Sequence, residues 1–324
     1  MSHKPPLLVI VGPTAAGKTD VCIALGRLLP AEIVTADSMQ VYRGMDIGTA
    51  KPTEAERAGV PHHGIDIVDP EEPFSVADYR NYALAAIAGI HRRGRLPILS
   101  GGTGLYVRAV VDQFLFPDRG ADWELRRKLE EEAERLGRAE LHRRLAQVDP
   151  ETAARIHPND LRRVVRALEV YERTGRPLSW HLRAHRAKEP AFDLLMFGLT
   201  RPRDELYARI DRRVDEQVRR GLVEEVRSLM ERGLDEGHVS MQGLGYKEII
   251  AYLKGRVTLE EAVHRLKRDT RHYARRQLIW FRADSRIHWL DLSRYRTVRD
   301  AIRPIAEAVA ERWPSFAPRL PDRP

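Results

Sequence analysis

Leu7 to Val11 is apolar at every position, the pattern of a strand covered on both faces. A glycine-bearing turn follows, and from about Lys18 to Leu29 apolar positions recur at helical spacing. Glu32 to Ala36 reads as a second strand. Ser75-Val-Ala-Asp78 has the spacing of a capping box, with Phe74 and Tyr79 placed to staple it, so a helix should start there and run to about Arg93. Leu96 to Ser100 is a third buried strand, closed by Gly101-Gly102. Strand and helix in alternation predict a parallel sheet with helices on both faces.

The pattern changes near Pro117. From there to about Pro190 the spacing is helical, rich in charge and without a strand, with separate helices expected at Asp122–Leu136, Ala139–Ala146 and Asp160–Thr174. Leu194 to Thr200 restores a buried strand. The fold class is therefore expected to be α/β, a P-loop NTPase-like core with a parallel sheet (residues 1–117 and 193–324) interrupted by a helical insertion domain (residues 118–192). Further helices are expected at Asp204–Arg220, Leu222–Arg232 and Leu259–Trp280, and a last strand at Ile287–Leu290. The proline-bearing tail from Trp313 reads as irregular, and His62-His63 as loop, since no further ligands at usable spacing make it a metal pair.

The turn after the first strand carries the first chemistry. Gly12-Pro13-Thr14-Ala15-Ala16-Gly17-Lys18-Thr19 fits G-x-x-x-x-G-K-[ST] between a buried strand and a helix, the context a phosphate-binding loop requires. Its glycines let backbone N–H groups close around phosphate oxygens, and the helix N-terminus adds a favourable dipole. Lys18 can reach the terminal phosphates, and the Thr19 hydroxyl can ligate Mg²⁺. The second strand ends in Asp37-Ser38-Met39-Gln40, and ligands in such sheets sit beyond the carboxyl ends of strands. Asp37 is thus a candidate general base or water-mediated Mg²⁺ ligand, or else the cap of a turn. Gly101-Gly102-Thr103-Gly104 reaches the same edge, with Thr103 either a substrate contact or a turn or helix cap.

Charge widens the picture. A formal net charge of +8 points to a polyanionic partner or to an Arg-rich solvated surface, and composition leaves both open. The single cysteine, Cys22, excludes an intramolecular disulfide and a Cys-rich zinc site. No run of about 18 apolar residues predicts a membrane span, and Met1 to Pro6 has no signal-peptide core. The expectation is a cytoplasmic protein, and a monomer, because long apolar heptads are missing. On the helix after Asp160, Arg162, Arg163 and Arg166 project away from Leu161, Val165 and Leu168. Arg268, Arg271 and Arg275 share one face of a later helix, near Arg276 and Tyr273. Such faces can track phosphates, with Tyr273 free to stack on a base, or can be solvated surfaces laced with ion pairs.

Gly12 to Thr19, the stretch Asp37-Ser-Met-Gln-Val-Tyr-Arg-Gly-Met-Asp-Ile-Gly-Thr-Ala-Lys-Pro52, and Gly101-Gly-Thr-Gly-Leu-Tyr106 together resemble the tRNA dimethylallyltransferase family. His157-Pro-Asn-Asp160, Arg166-Ala-Leu-Glu-Val170, Arg209-Ile-Asp-Arg-Arg213 and Gly245-Tyr246 extend the resemblance, in order, from about residue 7 to residue 290. The resemblance implies transfer of a dimethylallyl group from dimethylallyl diphosphate to the N6 amine of adenosine at tRNA position 37, with Mg²⁺ as cofactor. It implies that the P-loop and Arg213 hold diphosphate, that Asp37 is the base, and that Thr103 is a polar contact near the reacting groups. It also implies tRNA contacts at Asp37–Gln40, Thr103, Arg126, Arg162, Arg163, Arg166, Gln242, Gly245, Tyr246, Lys247, Arg268, Arg271, Arg275 and Arg276, with the insertion clasping the anticodon stem-loop. An adenylate isopentenyltransferase and a P-loop kinase remain as alternatives that share the phosphate loop.

Overall fold

The computed structural model describes residues 4–112, 121–186 and 190–318. The expected boundary at Pro117 and residue 118 lies outside them, as do Met1–His3 and the tail after Pro318.

Six parallel strands form the sheet: β1 (Pro6–Val11), β2 (Ala31–Thr35), β3 (His62–His63), β4 (Leu96–Gly101), β5 (Asp193–Thr200) and β6 (Ile287–Asp291), in the order β3-β2-β4-β1-β5-β6. From β1 the chain runs outward on one side to β2 and β3, returns to β4, and later leaves on the other side to β5 and β6. The carboxyl ends around β1 are therefore the crevice where ligands bind in open parallel sheets. His62-His63 is not loop but the edge strand β3: it pairs with Ile33 and Val34, and His63 Nε2 lies 2.7 Å from the buried Glu32 carboxylate.

The helices are α1 (Lys18–Leu28), α2 (Glu54–Arg57), α3 (Val76–Arg92), α4 (Gly104–Val111), α5 (Trp123–Leu136), α6 (Arg138–Val148), α7 (Pro150–Ala153), α8 (Leu161–Thr174), α9 (Leu178–Arg186), α10 (Arg203–Arg219), α11 (Leu222–Glu231), α12 (Tyr246–Leu253), α13 (Leu259–Arg282) and α14 (Val298–Arg312). The capping box at α3 forms as the spacing predicts, with Ser75 N–H on Asp78 at 2.9 Å and Asp78 N–H on Ser75 Oγ at 3.3 Å. α14 was not expected. Its Thr297/Asp300 capping box and its buried Ala301, Ile302, Ile305, Ala306 and Val309 give it a start and an apolar stripe, and Pro304 is accommodated inside it. The tail after Trp313 forms one 3₁₀ turn, Pro314–Phe316.

Two compact units emerge. The first comprises residues up to 74, 79–107 and from 192 onward, and the second comprises 75–78 and 108–191. In the first, Leu8, Ile10, Ile33, Ile98 and Leu199 from the strands pack with Val21 and Leu25 of α1, Ile210 of α10 and Ile305 of α14. The second has its own core of Leu129, Ala133, Leu141, Leu145, Val164, Val165 and Leu168, drawn from α5, α6 and α8. Among the described residues no helix is long and apolar enough to cross a membrane.

Candidate active site

β1 delivers the phosphate loop. Gly12 has φ +146°, and a Cβ there would stand 2.4 Å from the Leu199 carbonyl oxygen, so only glycine lets the loop leave the sheet beside β5. Gly17, at φ +107°, turns the chain into α1. Lys18 Nζ folds back to donate to the Gly12 and Pro13 carbonyls at 3.0 and 2.8 Å. α10 and the residue just after β5 brace the loop from the other side: Arg209 Nε donates to Ala15 O at 2.9 Å and Arg201 Nε to Ala16 O at 3.1 Å.

A cavity of about 530 Å³ opens between these parts, lined among others by Lys18, Thr19, Arg209, Arg212, Arg213 and Arg220. Burial pulls the Lys18 ammonium down to about 8; the Asp37 carboxylate opposes that shift and the Arg213 guanidinium adds to it. Arg213 is likewise lowered by burial, with Asp37 again opposing and Arg209 adding. Lys18, Lys51 and four arginines outnumber the two acids of the lining, Asp20 and Glu56, an excess that suits a small polyanion. Among the described residues no group of three His, Cys, Asp or Glu could hold a metal. The Thr19 hydroxyl lines the cavity without a hydrogen-bond partner among the described residues, so a cation there would be shared between Thr19 and substrate oxygens.

β2 and β4 supply the other half. Asp37 Oδ1 accepts the Met39 and Gln40 N–H groups at 2.9 and 3.3 Å, which is the turn cap, while Oδ2 has no hydrogen-bond partner among the described residues. The turn-cap reading of Asp37 is thus seen, and its charge is felt by Lys18, Arg213 and Tyr273. Thr103 Oγ1 accepts the Ser38 N–H at 3.0 Å, tying the two loops together. Burial first, then Asp37, pushes the phenol of Tyr273 on α13 up to about 12, with Thr103 and Gln277 working the other way. Gln277 Oε1 accepts the Thr14 N–H at 2.9 Å and its Nε2 donates to Gly102 O at 2.8 Å.

The stretch from Asp37 to Pro52 is held from within. Gln40 Nε2 donates to Thr49 and Ala50 carbonyls, and Lys51 Nζ reaches Tyr42 O and the Asp46 and Asp66 carboxylates at 2.5 to 2.6 Å. The Glu225 carboxylate accepts the N–H groups of Asp46, Ile47 and Gly48 at 2.7 to 3.0 Å and the Tyr246 hydroxyl at 2.7 Å.

Several expected RNA contacts lie elsewhere. Tyr246 is fully buried, its ring against Gly48, so it supports this loop and offers no surface to a nucleic acid; Gly245 is buried as well. In the second unit, Arg126 and Arg166 both bind Glu169, a carboxylate with no exposure, at 2.9 and 2.5 Å. Burial works to raise Glu169, and the hydrogen bonds from Arg126, Arg166 and the Asp122 N–H overcome it and hold the group low. Arg126 therefore anchors α5 to α8 and Arg166 pairs within α8, while Arg162 and Arg163 stand exposed. On α13, Arg268, Arg275 and Arg276 are exposed, Arg276 over the Tyr273 ring at 5.9 Å, but Arg271 is drawn to Asp211 of α10 at 2.6 Å. Gln242 and Lys247 are exposed; Ser38 and Met39 are partly so, with Met39 against Gly243. The sequence reading missed Gln277, Glu225, Arg201 and Arg209 as parts of the site. Gln277 follows Tyr273 by one helical turn on the same face, the one signal that could have found it.

The model of the IPP transferase family matches residues 40–284. The chain is 57% identical over 292 residues to a tRNA dimethylallyltransferase of Desulforudis audaxviator, covering 90% of this chain and 94% of that one. A tRNA isopentenylpyrophosphate transferase structure from Bacillus halodurans superposes with TM-score 0.71 at 48% identity, covering 95% of this chain and 98% of the other. A eukaryotic dimethylallyltransferase caught acting on tRNA superposes with TM-score 0.81 at 30% identity, covering 99% and 82%. The sheet built around a phosphate loop and the length of these matches lead to one assignment: the chain belongs to the IPP transferase family, among the tRNA dimethylallyltransferases.

Proposed function

We propose that this prenyltransferase, which modifies tRNA, takes the dimethylallyl group from dimethylallyl diphosphate and attaches it to the N6 amine of adenosine 37, beside the anticodon, releasing diphosphate. One observation supports the finer reading above all: Lys18 and Arg213, both destabilised by burial, feel the carboxylate of Asp37, whose Oδ2 is unengaged among the described residues.

In the reaction the bond from C1 of the allyl group to the bridging oxygen breaks, and negative charge grows on the departing diphosphate. Lys18, Arg213 and the loop N–H groups answer that charge in a site shielded from water. N6 is a weak nucleophile because its lone pair is delocalised into the ring; as its bond to C1 forms, its proton becomes acidic and passes to Asp37. Thr103, held by Ser38, offers its hydroxyl to the amine. Mg²⁺ bound at Thr19 would supply charge neutralisation to the diphosphate. The adenine must leave the anticodon-loop stack to enter such a site. The exposed arginines of α13, with Arg162 and Arg163 of the insertion, are read as phosphate contacts of the anticodon stem-loop, and the protein as a monomer.

The test is one incubation: labelled dimethylallyl diphosphate with tRNA, with AMP, or with no acceptor. Label in adenosine 37 of tRNA alone supports the reading. Label in AMP assigns the chain to free-nucleotide prenylation, and label in neither acceptor removes the transferase reading.

A further inference from the structure

Gln277 is one side chain that reaches two loops. α13 brings it against the carboxyl ends of β1 and β4, where it is 6% exposed. Thr14, whose N–H it accepts, belongs to the phosphate loop; Gly102, to whose carbonyl it donates, immediately precedes Thr103. Its amide orientation is dictated by these partners, since an N–H needs the oxygen and a carbonyl needs the nitrogen. A Cβ at residue 102 would stand 2.2 Å from Nε2, so the glycine is what lets the amide close in. One turn earlier on α13 stands Tyr273, whose phenol is influenced by both Thr103 and Gln277. Because Gln277 already takes the Thr14 N–H, a diphosphate in the loop must be held by the remaining donors.

We propose that Gln277 is a positioning residue that fixes the separation between the diphosphate loop and the Thr103 loop, and so between the allylic carbon and the amine that attacks it. The inference rests on the transfer reading above. Misplacing reacting atoms by about 1 Å costs roughly 10²-fold in rate without requiring any loss of binding.

The experiment compares the full-length parent with Gln277→Leu and Gln277→Glu. It measures single-turnover transfer from dimethylallyl diphosphate to tRNA, the Kd of each substrate alone, and the pH dependence of the rate. Gln277→Leu should slow transfer by about 10²-fold while each Kd stays within about threefold. The carboxyl introduced by Gln277→Glu can accept the Thr14 N–H in either state but can donate to Gly102 O only when protonated. Its rate relative to the parent should therefore rise as pH falls, a response that a merely space-filling role would not produce. A Gln277→Leu rate within about threefold of the parent, or a rate loss matched by lost affinity for either substrate, overturns the proposal. If Gln277→Leu does not fold, the pH profile of Gln277→Glu decides alone, and a constant ratio to the parent overturns it. A parent that prenylates no tRNA sinks the functional reading instead.

Discussion

Arg209 and Arg213 on α10 and Arg268 and Arg275 on α13 are the same residue type on two helices of one unit, and their surroundings differ in kind. The α10 pair faces inward: Arg209 is spent on a carbonyl of the phosphate loop, and burial lowers both guanidiniums. The α13 pair faces solvent, with Arg268 bonded to its own neighbour Asp269 at 2.8 Å. An exposed arginine beside an acid is worth little individually. A buried arginine short of counter-charge costs free energy in the empty protein, and an anion arriving there recovers it. Position relative to the sheet, and not the count of basic residues, separates the α10 arginines beside the phosphate loop from the solvent-facing arginines of α13.

The sharpest break in that comparison lies at Asp37, the acid whose charge both Lys18 and Arg213 feel. Asp37→Ala should slow single-turnover transfer by roughly 10² to 10⁴ while tRNA affinity stays nearly constant; a rate within about threefold of the parent would remove Asp37 from the chemistry. Next comes Arg213→Ala, expected to cost about 10² to 10³ in the chemical step by leaving developing charge unanswered. Weakened tRNA binding with an intact chemical step would instead move Arg213 to the RNA surface. Third is pH. Lys18 is held near 8, so its ammonium is lost as pH rises through that value. Diphosphate affinity, measured by calorimetry, should fall by up to about tenfold per pH unit above 8, and Lys18→Met should abolish the decline. The smallest effect belongs to the outer pair. Arg268→Gln with Arg275→Gln should flatten the plot of log tRNA affinity against log salt by about 1.4 to 1.8 and leave turnover at saturating tRNA nearly untouched. Adding Arg271→Gln should change the slope little, because that charge already serves Asp211. A parental slope in the double variant would make the stripe a solvated face.

The core was legible because its signals are local. The apolar runs at Leu7–Val11 and Leu96–Leu99 read as covered strands, and Gly12 to Thr19 encodes its own loop shape. What escaped was the choice of partner across long separations. Arg126 and Glu169 meet over 43 positions, and Thr14 and Gln277 over 263, so the sequence alone cannot say that an arginine is an anchor or a glutamine a bridge. Tyr246 shows the same limit: its place in a family motif drew attention, but the hydroxyl faces Glu225 and the ring lies under Gly48. α14 was missed for another reason. Its capping box is readable, Pro304 sits inside the helix, and tertiary packing on α1 sustains the helix around that proline.

The grip of Glu225 on Asp46, Ile47 and Gly48 carries an unexpected corollary. Three backbone N–H groups and the Tyr246 hydroxyl converge on one carboxylate, and shortening it by Glu225→Ala would leave a vacancy shaped for a small acid. Formate or acetate should then act as a prosthetic counter-ion, raising the melting temperature of the variant with concentration, as mass action requires, while leaving the parent unmoved. An equal response in both proteins would show that the anion acts elsewhere. In that sense the loop that carries Asp37 is templated by an internal ligand, one the chain supplies to itself.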